Sequence, residues 1–366
     1  MPLPFAYKFY FFITLAVLVA FAYSIKKLMP PNTPDKGLYD AYLRFLLFQS
    51  NAYFVIALSV YRFSVGELFV PYWDYAGYWR GTVYFSELFL SNAQEAYEYL
   101  LRSIENDEYN AIPCLMLAPM VYFLGSTFND YVLGIFVAFV GPFLVGFNLL
   151  TFHLMSTNEA FHKVLKSMTW QATITILTFT LPVVIAPVLV GYLDAVGLVL
   201  VLPLIYITYH KALLNGVKPL QIIVFTACMI LLALTRRWYV ILLVGLGLST
   251  FIMILYEMWS NRSKAKTILL FSATNYGIVL LLFFFVLYWY FPEYFQRTFL
   301  KQYEDVYSAY RYGGFLENIV ATLHHYGIWY WVVVLAGMVF FMRTKTLRFF
   351  GLFLVLFIII TFYIFN

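Results

Sequence analysis

Ile112-Pro113-Cys114-Leu115-Met116-Leu117-Ala118-Pro119-Met120-Val121-Tyr122-Phe123-Leu124 opens an apolar stretch over 112–128, and a second apolar run follows over 130–153. Whether one or both of them cross a bilayer decides the orientation of everything downstream. The first is short for a span and is interrupted by Pro113 and Pro119.

The surrounding sequence supplies the bilayer. Of 366 residues, 63% are hydrophobic, 22% aromatic and only 11% charged, against about 25% charged in soluble domains. Apolar runs of about 20 residues recur from end to end, the mark of a multi-span helical membrane protein. A soluble core of this composition would lack polar sequence to cover it, and a β-barrel would alternate in short segments. The expected spans are 9–24, 41–62, 130–153, 169–191, 195–210, 219–235, 238–257, 267–290, 328–342 and 349–365. The expected fold is therefore an all-α polytopic membrane protein of about ten transmembrane helices, a single transmembrane domain over 1–366. Residues 1–24 carry only Lys8 before the apolar run and no small-residue cleavage site, so the first span is expected to be retained. Cys114 and Cys228 lie far apart in apolar sequence and read as inert packing. There is no internal repeat, low-complexity tract or nucleotide fingerprint.

Charge sets the orientation. The loops 25–44, 154–168, 211–218, 257–266 and 343–348 hold 14 of the 23 Lys and Arg residues and 4 of the 18 acids. By the positive-inside rule they face the cytoplasm, which places 63–129, the turns near 192–194 and 235–238, and 291–327 outside. The net charge of +5 thus reads as topology, and no nucleic-acid partner is expected. An odd number of crossings must separate 63–129 from the basic loop 154–168. So 112–128 is expected to lie at the outer interface as a re-entrant or juxtamembrane helix, with the N-terminus of the chain outside. Within the same outer loop, Phe89, Ala93, Ala96, Tyr97, Leu100, Leu101 and Ile104 recur at helical spacing. They predict one amphipathic helix over 86–104, lying on the membrane surface.

Several outer features could carry chemistry. Tyr72-Trp73-Asp74-Tyr75-Ala76-Gly77-Tyr78-Trp79-Arg80 sets one carboxylate among five rings. It is either an interfacial aromatic belt or a general base beside rings, such as Tyr78 and Trp79, that stack on a sugar; desolvation there would raise the acid's proton affinity. Ser103-Ile104-Glu105-Asn106-Asp107-Glu108-Tyr109-Asn110-Ala111-Ile112-Pro113 is either a polar helix end or a substrate-binding edge using Asp107, Glu108 and Asn110. Asp194 stands between two apolar runs, as a functional acid or a helix cap. Arg236 and Arg237 run against the charge trend; they either snorkel to headgroups or grip a phosphate with their planar forks. Tyr307 and Tyr310 belong to a tyrosine-rich stretch that could cover a carbohydrate site. His324-His325 has no partner at metal-ligand spacing, so zinc is not expected.

The order of these features resembles the GT-C class of membrane glycosyltransferases, and the motifs around Asp74, Asp107 to Asn110 and Arg236 to Tyr239 are similar to a bacterial set within it. The resemblance spans about residues 40–330. The paired acid usual at the first position is Asp74-Tyr75 here, and the histidine usual before the proline is absent. The resemblance implies a polyprenyl-phosphate-linked sugar donor, a glycopolymer or glycolipid acceptor, and an active site on the outer side of the cell membrane, surrounded by membrane lipids. It implies that Asp74 is the catalytic carboxylate, taking a proton from the acceptor, that Asp107, Glu108, Asn110 and Asp194 belong to the substrate site, and that the segment after the turn stays outside the bilayer core. A divalent cation, Mg or Mn, is left open. Other readings are a transporter or flippase of lipid-linked saccharide, a polysaccharide polymerase or ligase using His324 and Arg311, and a non-enzymatic scaffold.

Overall fold

In the computed structural model the described residues are 36–66, 73–107, 110–180, 182–209, 213–214, 216–300, 317, 320, 328–343 and 348–364. The expected first span at 9–24 lies outside them. Every regular element among the described residues is helical. Four helical stretches, Lys36–Val65, Phe128–Ser156, Tyr239–Ser260 and Arg262–Tyr290, are long and apolar enough to cross a membrane. Large apolar side chains stand exposed on them, Phe54 at 68% and Leu281 at 73%. Such surface suits lipid rather than water, and the chain is a membrane protein. The chain divides into two compact units, Met1–Leu202 and Pro203–Asn366.

In the first unit, α1 (Lys36–Gly66) runs antiparallel to α5 (Phe128–Ser156). Tyr42 and Phe45 meet Phe152, Gln49 meets Asn148, and Tyr53 meets Phe136, so the partners' numbers fall as those of α1 rise. The helix α5 widens into a π-turn over Phe136–Val140. Pro142 is the cause: it has no N–H and its ring crowds the turn before it. The Gly141 N–H bonds the Phe136 carbonyl, which leaves the Val137 carbonyl without its usual helical donor. The Tyr53 hydroxyl takes that place at 2.8 Å, and Gly141 admits the Tyr53 ring where a Cβ would collide with it.

A buried polar chain joins α1 and α5 to α7 (Met168–Thr180). The Gln49 amide donates to Thr175 and accepts from Asn148, whose oxygen takes the Thr178 hydroxyl. Gln49 is fully buried and Asn148 is 2% exposed. Such interhelical bonds hold apolar helices in register where hydrophobic contrast with lipid is absent. Lower on the same pair, Arg44 donates to the Lys166 carbonyl on α6 (His162–Lys166) and to the Gln171 amide. Residues of the two basic loops thus meet at the Ser156 end of α5.

At the other end, the chain builds a layer of three helices: α2 (Trp73–Ser91), α3 (Ala93–Asn106) and α4 (Ile112–Leu124). The single helix expected over 86–104 is corrected to two. Asn92 leaves helical geometry at φ −149°, ψ 86°, and its side chain caps the Glu95 N–H. The break shifts the phase of α3 relative to α2, so Tyr97 is 59% exposed and Tyr99 packs inward instead. Phe85, Leu88, Ala96, Ala111 and Ala118 form the layer's core, with Tyr99, Leu100 and Leu115 against it. The helix α4 has 13 residues and so rises about 20 Å, less than the roughly 30 Å of a hydrocarbon core. Its Leu117 and Ala118 are fully buried. The first unit continues through α8 (Pro182–Leu189), a 3-10 turn (Leu193–Gly197) and the start of α9 (Leu198–Tyr209).

The second unit contains α10 (Pro219–Thr235), α11 (Trp238–Ser260), α12 (Ala265–Tyr290), the short α13 (Pro292–Phe295), α14 (Ile328–Arg343) and α15 (Arg348–Ile364). Asn275 on α12 is fully buried, and its amide N–H groups hold the Leu213 and Gly216 carbonyls of the loop before α10.

Candidate functional site

The Asp74 stretch is helical from Trp73 onward. Asp74 lies one turn before Tyr78 on this helix, and Tyr78, Thr82 and Phe85 are buried against the layer. The Tyr78 carbonyl accepts the Cys114 thiol at 3.7 Å, which fixes α2 on α4. Tyr78 is 6% exposed, so its ring serves packing. Trp79 is half-buried. Its indole N–H donates to the Ser126 carbonyl at 3.0 Å, and its ring meets Phe128 edge-on at 5.7 Å.

From Phe128 the contacts run to the second acid. Thr127 caps α5 in a reciprocal box with Asp130. One turn along α5, Tyr131 packs on Phe128 with ring centres 5.9 Å apart. Its buried hydroxyl donates to the Gly191 carbonyl at 3.0 Å. Gly191 has φ +82°, and a Cβ there would sit 3.1 Å from both the Phe128 and Tyr131 rings. Only glycine fits such a conformation at this spacing without strain. Three residues on, Asp194 lies in the 3-10 turn, which packs against α4 and α5. The helix that begins at Trp73 and the turn that carries Asp194 are therefore both tied to the 126–131 segment, at the end of α5 away from Arg44 and Lys166.

The polar turn after α3 is built on Ser103. Its buried hydroxyl donates to the Asp107 carboxylate at 2.6 Å and accepts the Ala111 N–H at 3.0 Å. The Asn110 side-chain oxygen accepts the Ile112 N–H at 3.0 Å and opens α4. Asp107 is exposed and Asn110 is 6% exposed, so both take part in the turn's own hydrogen bonding. Burial raises the Tyr99 phenol above its usual value, helped by the nearby Cys114, Asp107 and Tyr84. Glu108, Tyr307, Tyr310, Arg311, His324 and His325 lie outside the described residues.

Arg236 and Arg237 belong to the second unit. Arg236 ends α10 in extended geometry, φ −159°, ψ 138°, and is only 7% exposed; Arg237 is half-buried and leads into α11. Cys114 and Cys228 are buried thiols that are not joined to each other. Among the described residues no three His, Cys, Asp or Glu side chains group as metal ligands, so no residue is assigned to a divalent cation.

Ser126 and Tyr131, outside the candidate stretches read from the sequence, organise these places. A signal existed for one: Thr127 with Asp130 marks a helix start just before Tyr131. No family model matches the chain, and no curated protein or solved structure matches it either.

Proposed function

We propose that the chain is a membrane glycosyltransferase of GT-C type, moving a sugar from a polyprenyl-phosphate-linked donor to a glycopolymer or glycolipid acceptor at the outer face of the cell membrane. In this reading the chain crosses the bilayer ten times and α4 stays on the outer side. The observation that carries it is the tie of the Trp73 helix and the Asp194 turn to one segment, through Trp79 to Ser126 and Tyr131 to Gly191. The meeting of Arg44 with Lys166 at the opposite end of α5 supports the sidedness, since basic loops mark the cytoplasm.

Asp74, as a carboxylate, takes the proton of an acceptor hydroxyl. The hydroxyl oxygen bonds to the anomeric carbon as the bond from that carbon to the phosphate oxygen breaks. Polyprenyl phosphate leaves, and the centre inverts. Negative charge grows on the departing phosphate, where preorganised donors lower the barrier most; the planar forks of Arg236 and Arg237 suit a phosphate ester. Asp194, Asp107, Glu108 and Asn110 orient the sugar and acceptor hydroxyls, and Trp79, Tyr307 and Tyr310 are the aromatic side chains suited to stack on the rings, while Tyr78 is buried within its own layer.

The test uses the full chain in lipid nanodiscs with labelled polyprenyl-phosphate hexoses and fractionated envelope glycans. Label in the acceptor with inverted anomeric configuration, together with released polyprenyl phosphate, is the expected result. Transbilayer movement of intact donor in vesicles, without transfer, would replace this reading with a flippase.

A further inference from the structure

The start of the 291–327 stretch is fastened to the end of α10 that carries Arg236. Tyr294 on α13 is 3% exposed and Ala233 on α10 is fully buried. The Tyr294 hydroxyl donates to the Ala233 carbonyl. Arg236 follows Ala233 by three residues, and Arg297 follows Tyr294 by three. Arg236 therefore stands about 5 Å along its chain from the backbone of the residue that accepts the bond, and Arg297 about 5 Å along its chain from the backbone of the residue that donates it, at the rise of one helical turn. An arginine side chain is longer than that. The hydroxyl-bearing Thr235 and Thr298, 1% and 6% exposed, sit on the same two turns. Arg297, like Arg237, is half-buried.

We infer that Arg297 completes an anion site with Arg236 and Arg237, and that Tyr294 is the positioning residue that brings it there. The ligand class is a phosphate ester. A guanidinium fork matches phosphate oxygens in pairs, and arginine is the cation that tolerates partial burial best. The inference rests on the assignment of phosphate to Arg236 and Arg237, and it adds the residue and the fastening that assignment lacked. The phosphate could belong to a prenyl carrier or to a phospholipid headgroup, which share this chemistry.

Tryptophan fluorescence of the full chain in detergent, with Trp238 next to Arg237, reports binding. Farnesyl phosphate is the probe and farnesol the control. Wild type should bind the phosphate and not the alcohol. Arg297→Gln and Arg236→Gln should each weaken binding about tenfold or more, the scale of a lost charge-assisted bond. Arg297→Lys should recover only part, since it restores charge without the fork. Tyr294→Phe should weaken binding severalfold; if that variant does not fold, the Arg297 pair decides alone. Competition by dioleoylphosphatidylglycerol as strong as that of farnesyl phosphate assigns the site to headgroups, and weak competition assigns it to a prenyl carrier. Wild-type affinity in Arg297→Gln alongside loss in Arg236→Gln would overturn the inference while leaving the arginine pair. Binding without sugar transfer would keep it and remove the transferase reading.

Discussion

The phenol of Tyr131 reaches the carbonyl of Gly191 across 3.0 Å, sixty positions away in the chain. That bond pins the Asp194 turn to the first helical turns of α5, beside the carbonyl that holds Trp79. Tyr131→Phe removes the donor and leaves a buried carbonyl unpaired, a loss of about 1–3 kcal/mol. Gly191→Ala adds a Cβ at positive φ against two rings and should cost more. Both variants should melt below wild type in detergent, Gly191→Ala lowest. Equal melting of all three would mean that the turn is held elsewhere.

The Ser103 hydroxyl serves two partners, Asp107 and the Ala111 N–H. Ser103→Ala should open the turn between α3 and α4 at a cost of about 1–3 kcal/mol, more than Asp107→Asn, which keeps an acceptor in place. Hydrogen exchange at the Ala111 amide is the direct readout: it should quicken in Ser103→Ala and change little in Asp107→Asn.

Gln49 and Tyr53 tie α1 to α5 by different means. Gln49→Leu should cost about 1–2 kcal/mol, because it breaks two interhelical bonds worth about 0.6 kcal/mol or more each and strands the Asn148 amide. Tyr53→Phe removes the donor to the Val137 carbonyl at the π-turn. Thermal unfolding of the two single variants and the double variant should be close to additive, since neither residue shares a partner with the other.

Tyr99 should make the three-helix layer sensitive to alkali. Its phenol titrates above the ordinary value of 10.0, chiefly because burial disfavours the phenolate. The neutral ring's contribution is complete below the unfolded value and is lost as pH rises through the higher folded one. Limited proteolysis between α3 and α4 should accelerate above about pH 10. Tyr99→Phe should flatten that rise, and an unchanged profile in Tyr99→Phe would place the alkaline sensitivity at another residue.

The apolar runs were the legible part of the fold. The helix expected at 219–235 has those ends in the structure, and the break expected at 235–238 falls at Arg236. Such runs are read locally. The break at Asn92 was a local signal too, but the recurring apolar positions on both sides of it hid the change of phase. Partners distant in sequence were not legible: Gln49 and Thr175 are 126 positions apart, and single polar residues in apolar runs do not announce whom they face. The same holds for the candidate site. Loop charge led to the expectation that the Asp74 and Asp194 segments share one side, but with 32 tyrosines in the chain nothing singled out Tyr131 as the one that joins them.

In the proposed sugar transfer Asp74 takes the acceptor's proton. The most direct test of that step is the single-turnover rate of polyprenyl phosphate release in wild type and Asp74→Asn, with donor affinity and vesicle flipping measured on the same preparations. Loss of a general base should slow release about 10²-fold or more while donor affinity stays within a few-fold and any flipping is unchanged. Release from Asp74→Asn at the wild-type rate would contradict that role.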